Sequence, residues 1–460
     1  MSRPEKGSEL ELRIGSLAFG GRGVARVDDF VIFVDRALPG DLVRARLHTV
    51  KRRYAEGRAV ELIEPGPDRV EPRCPHFGAC GGCRFQDLDY ARQLEHKEQT
   101  IRDAIRRIGH IEGVEVAPIV GAAQTYGYRN KVEFSFADGR DGGVRLGFHV
   151  AGRWEDILPI ETCHLVGDAW NAARAVVERW ARDHAIAAYD RRTHGGYLRN
   201  LICRGSERTG ELLLTLVTSE GPLPRPAQLE EELREAVPAC VGLLHAQTDR
   251  KAEVTAGLEA GLVFGRPWYA ERLLDLDLRV SSGSFLQTNT AMCERLYEIA
   301  IEEAALAGDE VVWDLYSGIG SIALALARDA GEVYGIEIVE EAVQRAAENA
   351  ERNGIENARF VHGDVAKAVR PLIEGGVPSP DLVVVDPPRA GLIPKAVRRI
   401  VELAPPRIVY VSCNPTTLAG NAEQLVEAGY RLVRVRSVDM FPHTHHVECV
   451  ATFVAGDDSP

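Results

Sequence analysis

Long apolar runs are missing from this sequence. No stretch approaches the roughly 18 consecutive apolar residues that a membrane span requires, and the opening "MSRPEKGSEL" is too polar for a secretory signal. Both point to a soluble, cytoplasmic protein with no membrane partner. An excess of positive charge is missing too. The formal net charge is −13, which argues, for the chain as a whole, against a protein that coats nucleic acid. Cysteine is scarce. Nine residues, an odd number spread over 460, argue against a secreted disulfide framework and for thiols or metal ligands in a reducing compartment. No internal repeat is evident, and no segment calls for an obligate protein partner.

What is present suffices for several cores: 45% of the residues are apolar, and a length shared out at about 150 residues per domain suggests three domains. Residues 8 to 64 carry short alternating runs ("VIFVD", "DLVRARLHTV", "GRAVELI") broken by "FGGRG" and "LPGD", the pattern of a small β-barrel with glycine turns. Within it "HTVKRRYAEGR" sets Lys51, Arg52, Arg53 and Arg58 around Tyr54, either a patch that grips phosphates and stacks bases or a solvated strand edge. The proline-rich "EPGPDRVEPRCP" places a boundary near residue 66. A helix follows, with Leu94, Ile101, Ile105 and Ile108 on one face and a stop at Gly109. Strand-like pieces then mix with helical stretches near 168 to 184 and 227 to 236, an α+β middle domain. The expected domains are 1–66, 67–280 and 281–460, an α/β multidomain chain.

After residue 285 the rhythm is regular. "EVVWDLYSG", "EVYGIEIV", "ARFVHGD", "LVVVDPP" and "RIVYVSC" are buried strands each followed by a helical segment, a Rossmann-like doubly wound sheet. The ending, "YRLVRVRSVDMFP" then "HVECVATFVA", has no helix between its strands, so the sheet should close with an antiparallel pair, as in S-adenosylmethionine-dependent methyltransferases. In "DLYSGIGSIALALA", Gly318 and Gly320 form a turn that lets backbone approach a nucleotide. With Ala323 and Glu337 the same stretch meets the dinucleotide fingerprint, so NAD competes. Asp314 favours the cationic, phosphate-free S-adenosylmethionine, because a carboxylate beside the loop would repel a pyrophosphate. Glycines that merely close a turn are the plainest alternative.

Asp364 in "VHGD" and Asp386 in "VVDPPR" end two further strands, where ligands gather in such sheets. A strand-terminal "DPP" also resembles the loop by which amino-methyltransferases hold an exocyclic nitrogen, a reaction that needs no thiol. A thiol is nevertheless present: Cys413 in "VYVSCNPTTL" lies just past the fifth strand. Carbon 5 of uracil is a poor nucleophile, but a thiolate adding to carbon 6 makes an enolate whose carbon 5 can attack a methyl sulfonium. Loss of the carbon-5 proton then needs a general base. "DMFPHTHHVECV" offers Glu448, the preferred base, and His443, His445 and His446, which line a turn more readily than they hold a metal.

Taken in order, "SGSFLQTN", "DLYSGIG", "DPPRAG", "SCNP" and "FPHTHHVE" strongly resemble the RNA uridine-5-methyltransferases, the family of the 23S ribosomal RNA and transfer RNA 5-methyluridine enzymes. The likeness spans essentially the whole chain. It implies that the N-terminal barrel is a TRAM module, an OB-like RNA-binding domain, that Cys413 is the nucleophile and Glu448 the proton-abstracting base. It implies S-adenosylmethionine as cofactor, contacted by Gln287, Tyr316, Glu337, Asp364 and Asp386, with Phe285 placed to stack on the target base. Ser321 departs from the asparagine common at that motif position, which puts a cofactor contact there in question. Structured RNA is the implied partner, ribosomal RNA favoured and transfer RNA the alternative.

"CPHFGACGGCRF" sets three cysteines among glycines, either incidental thiols or ligands that want a fourth. The resemblance supplies one. The ribosomal branch carries a 4Fe-4S cluster on the pattern "CxxxxxCGGC" with a distant fourth cysteine, which Cys74, Cys80, Cys83 and, in "IETCHL", Cys163 reproduce. Four sulfurs alone would suit zinc as well. Full ligation would leave no open iron, which argues against a redox or radical enzyme and for a central domain braced by the cluster.

Overall fold

A computed structural model describes residues 4–139, 142–252, 255 and 257–456. At the N-terminal end, six strands, β1 (Glu9–Arg13), β2 (Ser16–Leu17), β3 (Gly23–Val27), β4 (Phe30–Asp35), β5 (Leu42–Val50) and β6 (Tyr54–Glu64), form a bent sheet in the order β1-β5-β6-β4-β3-β2. Alternation does the folding. Ile32 and Val34 of β4 point into a core shared with Leu12, Val43, Leu47 and Ala55, while Val31, Phe33 and Asp35 face outward.

Next come α1 (Tyr90–Arg107), β7 (Glu115–Val116), β8 (Lys131–Asp138), β9 (Val144–Val150), β10 (Arg153–Pro159), α2 (Asp168–Asp183), β11 (Leu198–Ser206), β12 (Glu211–Thr218), α3 (Pro226–Ala236), β13 (Cys240–Gln247) and β14 (Ala260–Gly265). Seven of the strands form one sheet, β10-β9-β8-β11-β12-β13-β14, with α2 and α3 on its face around Trp170, Trp180, Leu229 and Leu233. A separate hairpin, β15 (Trp268–Leu273) and β16 (Leu276–Ser281), follows.

The C-terminal part contains α4 (Thr290–Ala304), β17 (Val311–Leu315), α5 (Ser321–Leu326), β18 (Glu332–Glu337), α6 (Glu340–Arg352), β19 (Ala358–His362), α7 (Val365–Glu374), β20 (Leu382–Val385), α8 (Pro394–Leu403), β21 (Arg407–Ser412), α9 (Pro415–Glu427), β22 (Tyr430–Val438) and β23 (Glu448–Ala455). Its sheet runs β19-β18-β17-β20-β21-β23-β22-β7. β17 to β21 are parallel, and β23 is antiparallel to both its neighbours. Near-continuous apolar strands such as "LVVV" suit burial on both faces, which two apolar clusters provide.

Two elements that precede the central sheet belong to this last one. α1 packs against α9, and β7 pairs in parallel with β22. The buried face of α1 also differs from the one its apolar spacing suggests. Ile101 and Ile105 are buried, but Ile108 is 40% exposed, and the places above Ile101 go to Gln93 and Lys97, at 0% and 3%. Both polar groups have partners on the opposing loop, described below, which satisfies them in the interior. Among the described residues no helix is long and apolar enough to cross a membrane.

Candidate active site

The parallel strands all present their carboxyl ends to one edge, where a loop must leave each strand and enter a helix. After β17 the chain turns through Tyr316 at φ +73°, Gly318 at +54° and Gly320 at +81°. A β-carbon on Gly320 would come within 2.8 Å of the Phe360 ring, so the turn admits only glycine there. The positive φ of Tyr316 is the kind of strain that clusters at ligand sites.

The carboxylates converge on this turn. Glu337, at the end of β18, accepts the Gly318 N–H at 3.0 Å and the Val339 N–H at 2.8 Å, which fixes it under the glycine loop. Asp364 stands at the N-cap position of α7 with no side-chain capping bond among the described residues, and burial, then Asp364, pushes the Tyr316 phenol up to about 12. Asp314, at 1% exposure, has both carboxylate oxygens without a hydrogen-bond partner among the described residues, and burial, then Asp386, pushes its carboxyl up to about 8. Burial likewise pushes Asp386 up to about 7, against the Gln287 amide that donates to it at 3.4 Å. Unpaired buried acids are costly unless a cation joins them. The edge is built to receive positive charge. The Ser321 hydroxyl is engaged by the Tyr297 hydroxyl at 2.7 Å.

The thiol stands at the same edge. β21 ends at Ser412, and Asn414, extended at φ −141°, caps α9 by accepting the Thr416 N–H at 3.1 Å, with Pro415 opening the helix. That sharp transition leaves Cys413 at the rim. Register decides its neighbour: Ser412 pairs with Cys449 across the antiparallel ladder, so Glu448 lies at the level of Cys413. Burial, then Glu448 and Asp386, pushes the Cys413 thiol up to about 11, and Arg389 opposes them. Glu448 is 1% exposed with Oε2 unpartnered among the described residues, and burial and Asp386 raise it well above the usual carboxylate range. Phe285, 63% exposed, is free to stack.

The three histidines are neutral packing groups. Burial holds His443 and His445 down to about 4 and His446 to about 3. The His445 and His446 rings meet at a tilt, as do His443 and Tyr126, while Phe19 and Phe441 meet His445 and His446 edge-on. The residues between β22 and β23 are pinned from outside the sheet. Lys97 donates to Asp439 and to the Phe441 carbonyl, Gln93 receives the His443 N–H at 2.9 Å, and the Arg84 and Phe85 N–H groups both donate to the His443 carbonyl. These supports, and Arg389, were not among the residues singled out from sequence. Arg389 had a signal there as part of "DPPRAG", and Arg84 and Asp439 lay within "CPHFGACGGCRF" and "DMFPHTHHVECV".

The four cysteines Cys74, Cys80, Cys83 and Cys163 line one cavity of about 360 Å³. The Gly82 N–H donates to the Cys80 sulfur at 3.4 Å and the Gln86 amide to the Cys83 sulfur at 3.2 Å; burial raises the Cys80, Cys83 and Cys163 thiols, and these donors and the nearby Arg129 charge oppose it. N–H donors and a cation aimed at sulfur fit thiolates that carry negative charge. Among the described residues, however, no group of three or more His, Cys, Asp or Glu could hold a single metal ion. The donor set therefore surrounds a space instead of meeting at a point.

Residues 269–454 match the tRNA (Uracil-5-)-methyltransferase family model, and residues 3–60 match the TRAM domain. An RNA methyltransferase of Chlorobaculum tepidum is 41% identical, covering 90% of this chain and 89% of its own. One of Caldanaerobacter subterraneus is 39% identical over 97% of this chain and 98% of its own. Among solved structures, the Pyrococcus abyssi tRNA (uracil-54, C5)-methyltransferase in complex with S-adenosyl-L-homocysteine superposes with a TM-score of 0.76 at 30% identity, covering 97% of this chain and 100% of that one. With these likenesses beside the acid-lined edge and its thiol, the chain belongs to the RNA (uracil-5-)-methyltransferases, enzymes dependent on S-adenosylmethionine.

Proposed function

We propose that this protein methylates carbon 5 of a specific uridine in structured RNA through a covalent cysteine–uracil intermediate. The observation that carries the reading is Cys413 set level with Glu448 at the edge that Asp386 shares. S-adenosylmethionine, with Gln287, Tyr316, Glu337, Asp364 and Asp386 as its contacts, supplies the methyl group. Cys413, once its thiol has lost its proton to solvent, bonds through Sγ to carbon 6, and the carbon 5–carbon 6 π pair shifts to give an enolate. Carbon 5 takes the methyl group as its bond to the donor sulfur breaks, leaving S-adenosylhomocysteine. Glu448 then removes the carbon-5 proton, the double bond re-forms, and the carbon–sulfur bond breaks to return the thiolate. Burial and Asp386 raise Glu448, which makes its carboxylate, once ionised, the stronger acceptor for the carbon-5 proton. The uridine has to leave its stack to reach Cys413, and the exposed ring of Phe285 supports its reading as the surface on which the base stacks. Cys413→Ala should abolish transfer of tritiated methyl. Glu448→Gln should accumulate a protein–RNA adduct on denaturing gels, and normal turnover by either variant overturns the mechanism.

Ribosomal RNA is the favoured substrate, on the strength of the four-cysteine pattern. The tRNA activity in the name of the Pyrococcus relative favours transfer RNA as the second reading. Mapping 5-methyluridine in both RNAs from a deletion strain separates them. Cys74, Cys80, Cys83 and Cys163 would hold a 4Fe-4S cluster, which the cavity between them and the N–H donors to sulfur support. Bound by four thiolates, such a group braces the fold and offers no open iron for chemistry.

A further inference from the structure

The seam between the N-terminal sheet and the cysteine loop gathers three arginines that the reaction leaves unused. Arg58 stands exposed on the outer face of β6, directly opposite Asp35 of β4, and forms no hydrogen bond or ion pair among the described residues. Asp35 is already engaged, because Arg84 Nη2 donates to its Oδ1 at 2.7 Å while Arg84 Nε donates to the Gly21 carbonyl at 3.2 Å. Arg36, next to Asp35, donates to the Gly78 carbonyl within the cysteine loop. The three guanidinium groups feel one another: after burial, Arg58 and Arg84 both hold Arg36 below its usual value. One carboxylate among three cations leaves two positive charges in surplus. In a chain of net charge −13, that surplus is out of character, and like charges gather only at a cost that an anion would remove.

The seam adjoins the reacting centre. The Arg84 backbone N–H holds the His443 carbonyl at 2.7 Å, and the Arg84 and Arg389 charges both act on His445. His445 in turn meets the exposed ring of Phe19 edge-on at 6.1 Å. Cations thus run from Arg58 through Arg36 and Arg84 to Arg389 beside Cys413.

We propose that Arg36, Arg58 and Arg84 form a seat for backbone phosphate of the RNA strand that delivers the target uridine. This rests on the RNA-methylating reading and adds to it a contact between the two folded units. Arg36 and Arg84 also tie the N-terminal sheet to the cysteine loop, but Arg58 makes no such tie, so its substitution isolates the ligand role from the structural one.

The test is retention of bulk ribosomal and transfer RNA from a deletion strain on filters, with the full-length wild type, Arg58→Ala, Arg58→Glu and, as control, Arg106→Ala on the outer face of α1. The salt dependence is followed between about 50 and 200 mM. Arg58→Ala should weaken binding several-fold and flatten the slope of log K against log salt by about 0.7 to 0.9, one phosphate contact. Arg58→Glu should weaken it further, and Arg106→Ala should match wild type. Unchanged affinity and slope in both Arg58 variants overturns the seat. So does a thermal shift by inorganic phosphate that Arg58→Ala abolishes while RNA binding stays unchanged, since the seat would then serve free anions. Methyl transfer is scored separately. A wild type that binds RNA with Arg58-dependent slope yet transfers no methyl keeps the seat and removes the enzymatic reading instead.

Discussion

Lys97 of α1 and Asp439, just past β22, form an ion pair with Nζ and Oδ1 2.5 Å apart and side chains 2% and 0% exposed. Asp439 also accepts the Tyr90 hydroxyl at 2.9 Å, and that hydroxyl accepts the Ala122 N–H at 2.7 Å. The pair therefore sets where the chain leaves β22 on its way to Glu448.

Breaking the pair should be expensive. Lys97→Ala leaves Asp439 buried with less to compensate it, a loss on the order of 3–5 kcal/mol. Replacing both partners by apolar residues of similar volume, Lys97→Met with Asp439→Leu, should restore much of that loss. Denaturant unfolding of the single and double variants measures the difference. A single variant as stable as wild type would show that the pair contributes nothing.

Cofactor affinity should rise with pH. Asp314 and Asp386 stand at about 8 and about 7, well above an ordinary aspartate, so in the free protein near neutrality they hold protons that a bound sulfonium would displace. Binding of S-adenosylmethionine should tighten from about pH 6 to pH 8 and then level off, by at most about tenfold per unit for each carboxyl. Titration calorimetry in buffers of different ionisation enthalpy reads the released protons directly.

Asp314→Asn should act oppositely on binding and on stability. A carboxyl whose folded value lies above its unfolded value binds more protons in the folded state, so stability falls as pH rises from about 4 to about 8. The amide lacks that penalty, so the ligand-free variant should melt higher than wild type at pH 8 while binding S-adenosylmethionine more weakly. Equal melting temperatures at pH 8 would contradict the burial of an ionised Asp314.

Alkylation of Cys413 in the free protein should accelerate about tenfold per pH unit from pH 7 to pH 10 without a plateau, because its thiol titrates at about 11. Arg389→Gln removes a cation that opposes the neighbouring carboxylates and should slow alkylation at every pH in that range. Peptide mass spectrometry separates Cys413 from the other thiols.

Protein purified without oxygen should carry about four irons and four sulfides and absorb in the visible range. Cys163→Ser should lose most of both. A single bound zinc with no sulfide would replace the cluster by a mononuclear site.

Much of the architecture was legible in the sequence because it is written in local periodicity. Continuous apolar runs such as "LVVV", each followed by an amphipathic stretch, signal parallel strands with helices between them, and two final strands without a helix signal the antiparallel closure. The same reasoning marked the glycine turn, the thiol of "SCNP" just past a strand and the strand-end acids, since each is a short motif whose backbone geometry is local. It misjudged α1. Apolar spacing assigned Ile108 to the buried face, yet Gln93 and Lys97 are interior, because their partners His443 and Asp439 lie on a loop far along the chain.

By itself, then, the sequence determined which residues can react, which strands lie inside the sheet and where its loops turn, all properties of neighbours in the chain. Only the tertiary structure decided which of those residues meet. The register of β21 against β23 brings Cys413 level with Glu448, and the seam beside the cysteine loop draws Arg58 toward Arg84. The physical reason is that pairing register and burial of charge are fixed by contacts between distant segments, and no local pattern records the partner.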